Sequence, residues 1–396
     1  MIYLHVPFCG SFCTYCDFYS EICRSSQAFN EYADAVIAEI RGRREELAKN
    51  MSAQHAVNTL YIGGGTPSVL PLDVLSRIVR ALTSSGAEVT SPFDEFTVEV
   101  NPEDIVEKGH EYVRGLTALG VNRFSMGVQS FNDEILRWMN RRHDAGNVVK
   151  AFRILRESGV RNISIDLIFG ISQLTEEIWK DTIEKALALA PGHISAYQLS
   201  IEEGSALARM VTDGRYVEAS EEQCRRQYDI LCQTLKQSGY HHYEISNFAK
   251  PGFEAVHNSA YWRRVPYVGL GPGAHSLAGN VRSWNSQELP HRIPDENPSK
   301  SKGCSPSKRT PGHPDGSLMT YSRSSETLSL EDIRVERIML SLRTDKGLEA
   351  TELYSLADSA VIDALLSESA LERSGGFIRI PEDHLFTSDE IIRELI

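Results

Sequence analysis

Three cysteines fall within eight positions of the stretch LHVPFCGSFCTYCDFYS (4–20): Cys9, Cys13 and Cys16. Thiolates spaced C-x3-C-x2-C in one loop, directly after a short apolar run, can fold around one metal centre. Structural zinc prefers four protein ligands, usually as two CxxC pairs, and only one such pair is present here. A 4Fe-4S cluster held by three cysteines keeps one iron without a protein ligand, which is an open position for a small molecule. The spacing favours the cluster. A zinc site completed by Cys23 is the alternative, and a disulfide fits less well.

Such ligands need a frame. Short β-branched runs at 2–6, 58–62, 96–100, 122–128, 162–168 and 193–199 alternate with helical patterns at 28–48, 71–83, 103–119, 145–158 and 175–189. Six strand-then-helix units at roughly 30 to 40 residue spacing predict an α/β fold with a parallel sheet, open or closed into a barrel. Ligands of such sheets sit at the carboxyl ends of the strands. The residues there are the cysteine loop, Gly63-Gly64-Gly65-Thr66, Glu99 to Asp104, Gln129-Ser130-Phe131 and Asp166. Glycines at a strand end allow backbone groups to approach a ligand, and they also serve as ordinary tight turns. A charged group at such an end is costly unless it faces a site.

The 396 residues suffice for one large domain and a smaller one. A 41% apolar and 24% charged composition is that of a globular protein, and a formal charge of −13 argues against nucleic acid as a general partner. No run approaches the roughly 18 apolar residues of a membrane span, and no secretory leader is evident. Seven cysteines, an odd number, do not read as a disulfide framework. The expectation is a cytoplasmic protein. The domains expected are a barrel over 1–250, a glycine-rich segment over 251–290, a flexible insertion over 291–327 and a helical domain over 328–396. The insertion is rich in Pro, Ser, Lys and Gly and contains Cys304. It hints at an organelle-containing source, so a mitochondrial or plastid location is the alternative. Helical patterns at 331–346 and 350–369, then an apolar run at 376–380, suit a winged-helix kind of domain. GLGPGAHS (269–276) lies too late in the chain and carries a proline unsuited to a dinucleotide fingerprint, so it is expected as a loop near the barrel mouth.

The cysteine spacing after the first of six βα units resembles the radical S-adenosylmethionine (SAM) superfamily. More narrowly, YLHVPFC, YIGGGTPS, VEVNPED, RFSMGVQSF and IDLIFGIS resemble, in order, the oxygen-independent coproporphyrinogen oxidase-like group. The resemblance spans about 1–290 and resumes from about 330. It implies a partial (β/α)6 TIM-like barrel with a small winged-helix-like C-terminal domain. It also implies a 4Fe-4S cluster on Cys9, Cys13 and Cys16 whose free iron is chelated by SAM. Tyr3, Tyr15, Gly64, Gly65, Thr66, Glu99, Gln129, Arg141 and Asp166 match the group's SAM-binding positions. Arg141 would pair with a carboxylate; Glu99, Gln129 and Asp166 would accept from ammonium or hydroxyl groups.

Two departures set this chain apart from the oxidases of that group. They carry a fourth cysteine two residues after the third, where this sequence has Phe18, and HNSAYW (257–262) matches the HNxxYW signature of the HemW heme chaperones. An imidazole such as that of His257 can ligate heme iron, Tyr261 and Trp262 offer flat apolar faces, and Arg263 and Arg264 could meet propionates. Apart from the signature, a histidine packed inside an aromatic loop explains His257 as well. The resemblance then implies heme bound by His257, Asn258, Tyr261 and Trp262 and passed to acceptor proteins. It also implies an electron donor for the cluster and no coproporphyrinogen oxidase activity. Members of the group tend to form homodimers, which nothing in the sequence tests. The rival expectation is a true oxidase that decarboxylates coproporphyrinogen III through SAM-derived radical chemistry.

Overall fold

The structure is a computed structural model that describes residues 1–52, 57–84, 93–288 and 321–396. Nine strands form its main sheet: β1 (Ile2–Val6), β2 (Thr59–Gly64), β3 (Glu95–Val100), β4 (Arg123–Gln129), β5 (Asn162–Phe169), β6 (His193–Gln198), β7 (His241–Glu244), β8 (Asn247–Ala249) and β9 (Val268–Leu270). Their order is β9-β1-β2-β3-β4-β5-β6-β8-β7. β1 to β6 run parallel in chain order. β9 extends the sheet parallel to β1, while β8 and β7 extend it antiparallel at the other side. The linear order makes this a partial barrel, and its six parallel strands are those expected from the sequence.

The alternating strands bury one face against the surrounding helices and turn the other inward. Leu60 and Ile62, Phe96 and Val98, Phe124 and Met126, and Ile163 and Ile165 all belong to one continuous core. The intervening residues point the other way, and they are polar: Tyr61, Glu99, Ser125, Asp166 and Ser195. The crossover helices are Leu72–Ser84, Pro102–Ala118, Ala145–Glu157 and Glu176–Ala188, as expected. Asp144 and Thr175 cap the last two by accepting from the N–H three residues on.

The helix expected over 28–48 is instead two, Ser26–Gly42 and Arg44–Met51, divided at Arg43. Arg43 leaves helical geometry because tertiary partners hold it. Its guanidinium donates to Glu39 at 2.7 Å, to Glu46 at 2.9 Å, to the Gly269 carbonyl at 2.5 Å and to Ser276 Oγ at 3.0 Å. These bonds lock the helix pair to β9, so part of the expected GLGPGAHS loop is a strand. Gly269 is needed there because a Cβ would lie 2.0 Å from the His275 carbonyl oxygen. Gly269→Ala is therefore expected to lower stability by about 2 to 3 kcal/mol, read as a shifted denaturation midpoint at unchanged slope.

Strands His275–Ala278, Val281–Asn285 and Arg323–Thr327 form a small antiparallel sheet. The last of these falls within the range expected as a flexible insertion. Five register pairs with Val281–Asn285 hold it, and Arg323 also reaches Glu46 at 3.0 Å. The rest of the insertion, from 291 to 320 and including Cys304, lies outside the described residues.

The C-terminal region builds its own core around Ile338, Leu342, Leu353, Ile362 and Ile378. Helix Leu330–Leu342 is followed by Ala350–Leu356 and Ser359–Ser367, which together replace the single pattern at 350–369. The break comes at Asp358, whose side chain caps the second helix through Ala360 N at 2.8 Å. A three-stranded sheet follows, with Phe377–Arg379 between Leu348–Glu349 and Glu372–Ser374, giving the winged-helix-like layout. Ion pairs Arg264–Glu336 and His241–Asp345 join this region to the barrel side. No helix of the described residues is long and apolar enough to cross a membrane.

Candidate functional site

A cavity of about 640 Å³ opens at the carboxyl ends of the parallel strands. Its rim is the cysteine loop, which is fixed at several points. Phe8–Cys9 pairs with Glu21–Ile22, bringing the two ends of the loop together. Between them, Thr14 N bonds Met139 O at 3.0 Å, Thr14 Oγ1 bonds Trp138 O at 2.9 Å, and Asn140 Nδ2 bonds Phe12 O at 2.7 Å. The corner after β4 thus clamps the loop through backbone groups.

Cys9, Cys13 and Cys16 all line the cavity. Thr66 Oγ1 donates to Cys9 Sγ at 3.5 Å and Arg141 Nη1 to Cys13 Sγ at 3.3 Å. Burial pushes the Cys9 thiol up and the Cys16 thiol up to about 11. Metal coordination would have to displace those protons, and the donors at two sulfurs would then offset thiolate charge. Among the described residues, no three Cys, His, Asp or Glu side chains converge as around a single ion. A 4Fe-4S cluster spreads its ligands over separate irons, so thiols placed around one cavity suit it better than a zinc ion.

Glu99, Gln129, Arg141 and Asp166 line the same cavity. Glu99 accepts from Tyr61 Oη at 2.7 Å and from Gly64 N at 3.1 Å. Burial, reinforced by the negative Asp166, pushes its carboxyl up to about 7 against the pull of those two bonds. Burial also raises Asp166, which accepts from Ser125 Oγ at 3.2 Å. Gln129 sits at a register shift of β4 with φ of 68°. That left-handed backbone costs a non-glycine residue about 1 kcal/mol or more, while the side chain stays on the cavity side that it shares with Ser125 and Gly127.

Arg141 is the most heavily engaged side chain. Besides Cys13, it donates from Nη2 to Gly127 O at 2.6 Å and Asn101 Oδ1 at 3.1 Å. Its Nε is buried with no partner. The positive charge of this guanidinium is what a carboxylate entering the cavity would meet. The donor set therefore fits both halves of the expected ligand: thiols for iron, and a cation and carboxylates for an amino acid.

Gly64, Gly65, Thr66 and Tyr15 also line the cavity. Gly64 has φ of 109°, and a Cβ on Gly65 would lie 2.7 Å from Phe8 O and 3.1 Å from Cys9 Sγ, so both glycines are required by close approach. Tyr3 does not reach the cavity. Its hydroxyl lies 3.1 Å from His5 Nδ1, and its ring packs near Tyr61, with which it is in register.

Sequence reasoning passed over several lining residues: Tyr61, Ser125, Arg142, Ser195 and Tyr197. Strand alternation was the available signal for Tyr61, Ser125, Ser195 and Tyr197, since each is an even number of residues from an assigned one on its strand or register row. Arg142 offered no such signal. It packs across Gly10 and bonds Asp104 at 2.7 Å, a pairing across 38 positions.

HNSAYW forms the helix Val256–Trp262, whose first N–H groups donate to the buried Glu95 carboxylate at 2.8 and 3.0 Å. Asn258 lines the cavity, whereas His257, Tyr261 and Trp262 do not. His257 is 1% exposed, with Nδ1 at 2.8 Å from Thr59 Oγ1 and Nε2 at 3.1 Å from Tyr261 Oη. Both ring nitrogens have partners, so this geometry does not present the open iron ligand expected from the sequence. Burial, with the chain N-terminus and Arg123 adding to it, depresses His257 to about 3 and keeps it neutral. Arg264 is also committed elsewhere, to Glu336 at 2.6 Å, and is not free for a propionate. Phe18, by contrast, is 69% exposed at the cavity rim.

A family model described as the Radical SAM superfamily matches residues 3–186. The heme chaperone HemW of Lactococcus lactis is 35% identical over 292 residues, covering 74% of this chain and 73% of that protein. The heme chaperone HemW of Bacillus subtilis is 36% identical, covering 74% of each. The heme chaperone HemW of Mycobacterium tuberculosis is 28% identical over 100% of this chain and 94% of its own length. Among solved structures, the radical SAM enzyme coproporphyrinogen III oxidase (HemN) of Escherichia coli superposes with a TM-score of 0.75 at 22% identity. That match covers 99% of this chain and 89% of HemN, and establishes a shared fold.

Proposed function

Because this chain belongs to the HemW family of the radical SAM superfamily, we propose that it is a heme chaperone. In this reading it binds heme and a SAM-coordinated 4Fe-4S cluster, and delivers the heme to acceptor proteins. The observation that carries the cofactor part is one cavity lined by three cysteine thiols together with Glu99, Gln129, Arg141 and Asp166. When bound, the cluster and SAM supply one-electron chemistry at that position. Arg141 is the cation for the SAM carboxylate, Glu99 the acceptor for its ammonium, and Asp166 the acceptor for a hydroxyl. Gly64 and Gly65 admit the ligand to backbone groups, and Thr66 and Arg141 hold the cysteine sulfurs.

For heme, the reading rests on family membership and on the 257–262 helix lying beside the cavity through Asn258. Ligation by His257 would require Nε2 to exchange the Tyr261 hydroxyl for iron. The exposed Phe18, where the oxidases have cysteine, weighs for the chaperone over the oxidase. The same reading includes an electron donor for the cluster, a homodimer and a cytoplasmic location.

Anaerobic reconstitution is expected to give iron and sulfide in equal amounts, and the Cys9, Cys13, Cys16 triple alanine variant none. Zinc without sulfide would overturn the cofactor reading. A heme titration followed by absorbance should show saturable binding, with no decarboxylation of coproporphyrinogen. Decarboxylation without stable heme binding would establish the oxidase instead.

A further inference from the structure

The helix Val256–Trp262 reaches the cavity in two ways. Asn258 lines it directly, as does Tyr61 on the inward face of β2. His257 stays outside the cavity and packs its ring on that same tyrosine, with centroids 5.2 Å apart and an interplanar angle of 34°. The imidazole is fixed where it stands. Thr59 Oγ1, two residues before Tyr61 on the same face of β2, meets Nδ1 at 2.8 Å, and Tyr261 Oη meets Nε2 at 3.1 Å. The buried Glu95 carboxylate anchors the backbone beneath it by accepting from His257 N at 3.0 Å.

Tyr61 in turn holds Glu99. Its hydroxyl donates to Oε1 at 2.7 Å while Gly64 N donates to Oε2 at 3.1 Å, so each carboxylate oxygen has one donor and the phenol is the only one on a side chain. Gly63 leaves room for this pair: a Cβ there would lie 2.7 Å from Tyr61 Cε1 and 2.8 Å from Glu99 Oε1. Tyr3, matched to a SAM position yet outside the cavity, also packs on Tyr61, with centroids 6.1 Å apart. A tyrosine hydroxyl sits at the end of a long lever, and its hydrogen bond weakens steeply once the angle opens, so what holds the ring also holds the bond.

We propose that His257 is a positioning residue for the cavity ligand: its ring backs Tyr61, and Tyr61 aims Glu99 at the group from which Glu99 accepts. The inference rests on the SAM reading only for the identity of that group, the ammonium of an amino acid. It gives the histidine of HNSAYW a task that uses both ring nitrogens closed, whereas an iron ligand needs one of them open.

The first arm of the test reads Glu99 in the ligand-free protein, by infrared pH titration of the buried carboxyl stretch, with Glu99→Gln to assign the band. The Tyr61 bond favours the charged carboxylate, so losing it raises the pH at which Glu99 takes up a proton. Tyr61→Phe should move that titration up by about half a pH unit or more. His257→Ala, folded as judged by circular dichroism, should move it the same way, and the double variant no further than Tyr61→Phe alone. His257→Phe keeps a flat ring against Tyr61 but has no nitrogen for iron, and it should retain the parent titration. An unchanged titration in folded His257→Ala, or additive shifts in the double variant, overturns the proposal. If the alanine variant does not fold, the phenylalanine variant decides, and a shifted titration there overturns the proposal. In the second arm, equilibrium dialysis of reconstituted protein should show SAM affinity reduced about tenfold in His257→Ala and in Tyr61→Phe, with no further loss when the two are combined. Heme binding lost while Glu99 and SAM are unaffected would instead make His257 an iron ligand. Parent protein that binds no SAM would refute the cofactor reading, while the infrared arm still decides on His257.

Discussion

Replacing His257 with alanine is expected to lower folding stability by about 3 to 5 kcal/mol, whatever it does to heme. The ring fills a closed space between Tyr61 and Tyr261, with centroids 5.2 and 5.1 Å away. Its removal leaves a cavity and also strands the Thr59 and Tyr261 hydroxyls, each costing about 1 to 3 kcal/mol when buried and unsatisfied. The pH dependence gives a second readout. The folded His257 titrates near 3, below its ordinary value of 6.5, so unfolding takes up a proton between those limits. The stability tied to the neutral ring is fully present above pH 6.5 and is lost as pH falls towards 3. The alanine variant should show a pH slope of stability smaller by one proton in that window, measured by denaturation at several pH values. Heme titration of the variant at a temperature where it stays folded then separates the two roles. Loss of the heme spectrum there supports ligation by His257; an unchanged spectrum assigns the heme to other groups.

Arg141→Lys is expected to weaken SAM binding by roughly tenfold to a hundredfold while the three cysteines still take up iron. A planar guanidinium meets Cys13, Asn101 and Gly127 on two nitrogens while its residue lines the cavity. An ammonium is a single point donor that cannot cover these directions together. One charge-assisted hydrogen bond contributes about 1.5 to 3 kcal/mol, which sets the size of the loss. Equilibrium dialysis after reconstitution checks affinity, and iron analysis of the same sample checks the cluster. Loss of iron in proportion to loss of SAM would show that Arg141 serves the cysteine loop rather than the ligand.

The mouth of the barrel was legible because its residues follow strand ends. Cys9, Gly64, Glu99, Gln129 and Asp166 each stand at or just after the end of a short apolar run, and parallel topology brings all such ends together. Tyr3 follows from the resemblance and not from a strand end, and its hydroxyl meets His5. His257 follows from the HNxxYW signature, and its surroundings close both ring nitrogens. A motif records residue types; only the neighbours Thr59 and Tyr261, one of them 198 positions away, determine whether an imidazole is open.

Local spacing by itself determined the βα alternation, the positions of the six parallel strands and the three-thiol loop, because side-chain period and turn chemistry are properties of neighbouring residues. Tertiary structure alone decided the break at Arg43, the strand at Arg323–Thr327 and the register shift of β4 at Gln129. Each depends on partners remote in the chain, and burial sets the energy of a charge or a hydrogen bond through groups that no local pattern contains.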